Sequence, residues 1–114
     1  MSYAGMTKGL IALGSAMMLA AERAGIKEEL MTELSTSQSG LATGFSKSIP
    51  DMFSKAYRWV AEMEQIAAYA GEPGAPEREI YMGAAKFYDR LGKDFAGSQK
   101  EIETLRSFFP PAKA

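Results

Sequence analysis

The stretch from Gly9 to Ala21 carries no charge, and its apolar residues do not alternate as those of a half-buried strand do. It constrains the fold more than any other part of the chain. The spacing predicts a helix over about Met1–Ala24, with Leu10, Ile11, Leu13, Met17, Met18 and Leu19 leaving nearly every face apolar. Such a helix must be buried all round, by its own domain or by a partner. Gly5, Gly9, Ala12, Gly14, Ala16 and Ala20 intersperse it with small side chains. The glycines among them lower helix propensity, and the whole set lets other backbones approach. The uncharged run is shorter than the roughly 20 residues that span a bilayer. A signal-peptide reading would make Lys8 the basic region and Leu19–Ala21 the cleavage site. The helical pattern continuing through Glu22 and Arg23 argues against it, so a cytoplasmic protein without a membrane span is expected.

Downstream, Gly25 followed by Ile26 reads as a left-handed helix cap with its hydrophobic follower. A second helix over about Lys27–Ser37 carries Leu30, Met31 and Leu34. The Ser/Thr/Gly-rich segment Ser35–Gly44 reads as a loop. Ser48, Pro50 and Asp51 then resemble a helix start, opening a third helix over about Ile49–Ala70. Its apolar stripe is Ala56, Val60, Met63, Ala67 and Ala70, widened by Met52, Trp59 and Ile66. After the breaker cluster Gly71–Pro76, a fourth helix presents Ile80, Ala84, Phe87 and Leu91 and ends at Gly92. Ser98 to Glu101 reads as a capping box for a last short helix with Ile102, Leu105 and Phe108, stopped by Pro110 and Pro111. The expected fold is all-α: a single domain, 1–114, of four or five helices around a long, buried first helix, and dimeric.

Composition narrows the chemistry. The chain has 114 residues, no Cys and no His, and a formal net charge of -1. Disulfide frameworks, thiolate metal sites, and Cys–His and Ser–His–Asp catalysis are excluded. No basic patch supports nucleic-acid binding.

Five residues form the candidate site. Tyr3 and Thr7 stand one turn apart on one helix face, with Lys8 beside them. A phenol, a hydroxyl and an ammonium near a helix start suit a carboxylate or phosphate. The plainer alternative is that Lys8 snorkels to water from the end of a buried helix. Arg58 and Glu62 stand four apart and share a face with Lys55. They read either as a solvated face with weak ion pairs or as an anion-binding or domain-docking stripe, with Trp59 at its edge. Glu62 and Glu64 point to different faces and make a poor acid/base dyad. The eight Met residues read as core filler, or as a pliable interaction surface.

The segment Met1-Ser-Tyr-Ala-Gly5-Met-Thr-Lys-Gly9 resembles the opening of the C-terminal helical domain of the β-hydroxyacid dehydrogenases, the superfamily of 6-phosphogluconate dehydrogenase. The 6-phosphogluconate enzymes read Lys-Met-x-His-Asn-Gly-Ile-Glu-Tyr-Gly there, and Met1, Gly5 and Gly9 coincide without a gap. The catalytic Lys of that pattern falls one residue before Met1. Its Asn, general-acid Glu and substrate-contacting Tyr correspond to Ala4, Thr7 and Lys8. A poorly characterised branch of the superfamily is more similar still, in Tyr3–Gly9 with Ala20–Gly25, and in Lys55-Ala-Tyr-Arg-Trp59 with Glu62-Met63. The resemblance spans roughly Met1–Leu91 and leaves 93–114 as an additional helix and tail.

The resemblance implies a substrate-side and dimerisation domain of an NAD(P)-dependent hydroxyacid dehydrogenase-like protein. NAD or NADP would be held by an upstream Rossmann domain, since the sequence has no Gly-x-Gly-x-x-Gly unit. The chain alone would be inactive and would form a homodimer through its first helix. Tyr3, Thr7, Lys8, Arg58 and Glu62 would contact substrate, with no catalytic, cofactor or metal residue of its own. The alternative is a freestanding helical dimerisation or interaction module with no enzymatic activity.

Overall fold

A computed structural model describes residues 1–110. They form six helices: α1 (Ser2–Ala24), α2 (Lys27–Ser37), α3 (Ser39–Met52), α4 (Ala56–Ala70), α5 (Pro76–Ala96) and α6 (Lys100–Arg106). The all-α expectation holds, and no strand occurs among the described residues. α1 packs against each of the other five helices. α4 and α5 form the most extensively packed pair, joined by the loop after Gly71.

The first helix ends as expected. Gly25 adopts φ 74°, and the Ile26 N–H reaches back to the Ala21 carbonyl at 2.9 Å. Its burial differs from the expectation. Within this chain α1 buries Gly5, Ala12, Ser15, Met18, Leu19 and Ala21, while Met6, Leu10, Leu13 and Met17 face outward. The five surrounding helices cover one side of it only. By length and composition α1 is long and apolar enough to cross a membrane. Met18 and Leu19 are nonetheless 2% and 4% exposed within the core of the other helices.

The segment expected as a loop is largely helix. The chain breaks only at Gln38, and α3 begins at Ser39. Ser, Thr and Gly there lower intrinsic helix stability, each Gly by about 1 kcal/mol against Ala. Tertiary burial outweighs this: Phe45, Ile49 and Met52 line one face of α3 and all enter the core. Gly14 of α1 makes the room for them, because a Cβ there would lie 2.5 Å from Phe45 Cζ.

The expected third helix is accordingly two. Pro50 sits in the last turn of α3 instead of opening a helix, and Phe53–Lys55 form a turn before α4. Pro50 has no N–H to return to Ser46, so the ladder weakens there. The turn is closed by Phe53 N–H to the Pro50 carbonyl at 3.2 Å and Lys55 N–H to the Met52 carbonyl at 2.8 Å. It lets Phe53 and Ala56 both point into the core. The stripe of α4 is as anticipated, centred on Trp59, Met63, Ile66 and Ala67.

The buried face of α5 is rotated from the expected one. Ala85, Tyr88 and Leu91 enter the core, and Ile80 is exposed. The helix also runs through Gly92 to Ala96. Gly92 serves packing: a Cβ there would meet the Tyr57 backbone at 3.2 Å, so α4 and α5 approach closely at this level.

The last helix forms without the expected capping box. Gln99 precedes it at φ 61°, and the Asp94 carboxylate of α5 accepts the Ile102 N–H at 2.9 Å. Glu101 is drawn instead to Arg90, at 2.9 and 3.0 Å. Ile102 and Leu105 are fully buried, so this segment belongs to the core. Pro110 follows the helix; Pro111, expected to help stop it, lies outside the described residues.

Candidate functional site

α1 and α4 bring two of the sequence candidates together. The Lys8 ammonium donates to both oxygens of Glu62, each at 2.7 Å. The pair is partly open to water, with side chains 25% and 36% exposed. The same ammonium stands 5.0 Å from the centre of the Trp59 ring. A Lys ammonium has three donors, so Glu62 leaves one for another acceptor. Glu62 therefore serves Lys8, in place of the local pair with Arg58 that a helix face suggests.

Beneath this pair lies Tyr88, a residue that sequence reasoning missed. It is fully buried, meets Trp59 edge to face at 5.3 Å, and its hydroxyl donates to the Lys8 carbonyl. Burial pushes the Tyr88 phenol well above its ordinary pKa, opposed in part by a hydrogen bond from the Ala12 backbone. The phenol stays protonated and fixes α1 against α5 behind Lys8. An aromatic at core spacing carries no sequence mark of this role.

The other candidates are dispersed. The Thr7 hydroxyl donates to the Tyr3 carbonyl of its own helix at 3.1 Å. The Tyr3 side chain projects into solvent, 80% exposed. Arg58 is exposed, and no carboxylate among the described residues pairs with it. Lys55 is held by Asp51 across the α3–α4 turn at 2.7 Å. Of the five residues only Lys8 and Glu62 meet, over an aromatic floor; Tyr3 and Arg58 are exposed, and Thr7 bonds to its own helix.

Beside the pair, α1 and α5 enclose an open groove of about 810 Å³. Its α1 side carries Gly5, Met6, Gly9, Leu10, Leu13 and Ala16, and its α5 side Ile80, Tyr81, Gly83, Ala84 and Phe87. Nearly all of it is apolar; Thr7 and Glu79 touch its edge. The face of α5 expected in the core is thus largely a groove wall. The recurrence Met6, Leu10, Leu13, Met17 is legible in the sequence as a 4, 3, 4 spacing, and would have distinguished this face within an otherwise apolar helix.

Comparison with known families decides the relationship. The model of the family described as Domain of unknown function (DUF1932) matches residues 21–91, more than half of the chain. The chain belongs to this family. No curated protein and no solved structure matches it. The matched part of this DUF1932 domain includes Trp59, Glu62 and Arg58, all on α4. It begins after Tyr3, Thr7 and Lys8, and ends at Leu91, before α6. The Lys8–Glu62 pair therefore joins a residue outside the matched span to one within it.

Proposed function

We propose that this DUF1932 domain is the substrate-side and dimerisation domain of an NAD(P)-dependent hydroxyacid dehydrogenase-like protein of the 6-phosphogluconate dehydrogenase superfamily. The observation that carries the reading is the family match over residues 21–91. It includes Lys55-Ala-Tyr-Arg-Trp59 and Glu62-Met63, one of the two places that look similar to that superfamily's helical domains; of the other, Tyr3–Gly9 lies before it. In this reading Lys8 offers its third N–H to an anionic substrate group. Glu62 and Trp59 hold the ammonium in place from α4, and Tyr88 holds the backbone behind it. Tyr3 and Arg58, both exposed, would contact the same ligand or the nucleotide domain. Thr7, whose hydroxyl donates a hydrogen bond to the Tyr3 carbonyl, would act at the groove's edge.

The sequence contains no Gly-x-Gly-x-x-Gly unit, so the residues present do not fit a dinucleotide. NAD or NADP would be held by a separate Rossmann domain, and this domain would not transfer hydride alone. The protein would work in the cytoplasm as a homodimer through α1. A second reading, a freestanding dimerisation or interaction module, is favoured by the apolar residues that α1 exposes.

The test is the mass of the native protein, by immunoblot of source cells. A band about three times larger than 12.4 kDa supports the dehydrogenase-like reading on the usual scale of domain sizes. The whole protein should then turn over a member of a hydroxyacid panel with NAD or NADP. A band at 12.4 kDa sinks that reading and leaves the interaction module.

A further inference from the structure

Glu62 turns both of its oxygens to the Lys8 ammonium, each at 2.7 Å, and so opposes the charge of the group that would meet a ligand. The pair remains open to water on one side. The Trp59 ring, itself buried, lies 5.0 Å from the same ammonium and closes another side. In a tetrahedral ammonium, an acceptor on the remaining N–H stands about 4–5 Å from the oxygens of Glu62. A ligand there feels the carboxylate as well as the cation. No other charged residue lies within one turn of Lys8 on α1. On α4, Arg58 stands one turn before Glu62 on the same face, exposed and without a carboxylate partner among the described residues. Glu64 projects from another face, and Lys55 is held by Asp51 at 2.7 Å. Lys8 and Glu62 cancel, so Arg58 leaves this face with one positive charge.

We infer that Glu62 is a specificity-determining residue: it makes this face a site for a singly charged carboxylate and selects against a phosphate monoester. Attraction to the site grows in proportion to a ligand's charge, whereas the cost of drawing the ligand from water grows as the square of that charge. With the ammonium opposed by Glu62, the attraction suffices for one charge and falls short for two. The donors point the same way. A phosphate monoester brings three strong acceptor oxygens and a charge of about −1.5 to −2 at neutral pH, a carboxylate two oxygens and a single charge. Lys8 has one N–H to give, because Glu62 takes the other two. Without Glu62, three N–H groups and an unopposed charge would face the ligand, a combination that suits a phosphate. This inference deepens the proposed function: it rests on the reading that Lys8 meets an anionic group of the substrate, and it narrows that group to a carboxylate.

The experiment titrates the full chain with two probes that differ in their anionic group, 3-hydroxypropionate and 2-hydroxyethyl phosphate. The readout is the proton–carbon NMR signal of the Lys8 ε-methylene, assigned by its loss in Lys8→Met. In the wild type, 3-hydroxypropionate should shift this signal at lower concentration than the phosphate does. Glu62→Gln keeps the shape of the side chain and removes its charge, and circular dichroism should show the fold retained. The removed charge repels a dianion twice as strongly as a monoanion. The ratio of the two affinities should therefore move toward the phosphate by roughly fivefold, the upper end for a charge pair open to water. Arg58→Gln should weaken both probes and leave 3-hydroxypropionate preferred. A wild type that binds the phosphate more tightly overturns the inference, as does a ratio that Glu62→Gln leaves unchanged; both results leave the Lys8 contact itself standing. A Lys8 signal that neither probe moves overturns the inference together with that contact.

Discussion

Phe45 of α3 presses its ring against the backbone of α1 at Gly14, where a Cβ would lie 2.5 Å from Cζ and 2.9 Å from Cε1. The ring is itself buried. This notch holds a segment poor in helix formers in a helical conformation, because the burial of Phe45, Ile49 and Met52 depends on α3 lying there. Gly14→Ala should therefore destabilise the fold, although it improves α1's intrinsic propensity by about 1 kcal/mol. Overpacking of this kind costs about 1–3 kcal/mol, so a modest net loss is expected. Urea denaturation checks it; an unchanged or higher midpoint would show that Phe45 moves aside freely.

The Lys8–Glu62 pair should be weak in stability terms despite its two short hydrogen bonds. Both side chains are partly exposed, which limits such pairs to about 0.2–1 kcal/mol. A double-mutant cycle with Lys8→Met and Glu62→Gln should give a coupling in that range, shrinking as salt is raised. A coupling that salt leaves untouched would mean that the pair is screened from water and is chiefly structural.

Tyr88 predicts a loss of stability at alkaline pH. Its folded pKa is raised by burial, while the unfolded phenol titrates near its ordinary value of about 10. Below that value both states hold the proton, and the stability is fully present. As pH rises above it the unfolded state ionises first, so stability falls progressively toward the folded pKa. Tyr88→Phe should cost about 1 kcal/mol at neutral pH through the lost hydrogen bond to Lys8. It should also flatten the alkaline decline relative to wild type. Thermal melts from pH 8 to 11 would show it, and equal slopes in the two proteins would refute the assignment.

The short helix α6 should be essential to the fold. Ile102 and Leu105 are fully buried, and Asp94 caps the helix from α5. Ile102→Ala should cost about 2–5 kcal/mol by opening a cavity. Asp94→Ala should cost about 0.5–2 kcal/mol through the lost cap. Chemical denaturation measures both; a near-neutral Ile102→Ala would mean that α6 is a dispensable appendage.

Much of this architecture was legible in the chain itself. α1, α2, the start of α5 and the stripe of α4 follow from local signals: apolar residues one turn apart, a cap at Gly25 and a proline at Pro76. Such signals act between residues near in sequence, so they need no knowledge of the rest of the fold. α3 was hidden because its local preference opposes helix, and only the Gly14 notch on a distant helix rewards it. The partner of Lys8 was hidden for the same reason, since Glu62 is 54 residues away and competes with a nearer cation at Arg58. Composition made α1 apolar on nearly every side. Which apolar side is buried within the chain, and which is left open, was decided by how many helices fit around it: five helices cover one face and leave Tyr3, Met6, Leu10, Leu13 and Met17 on the other exposed.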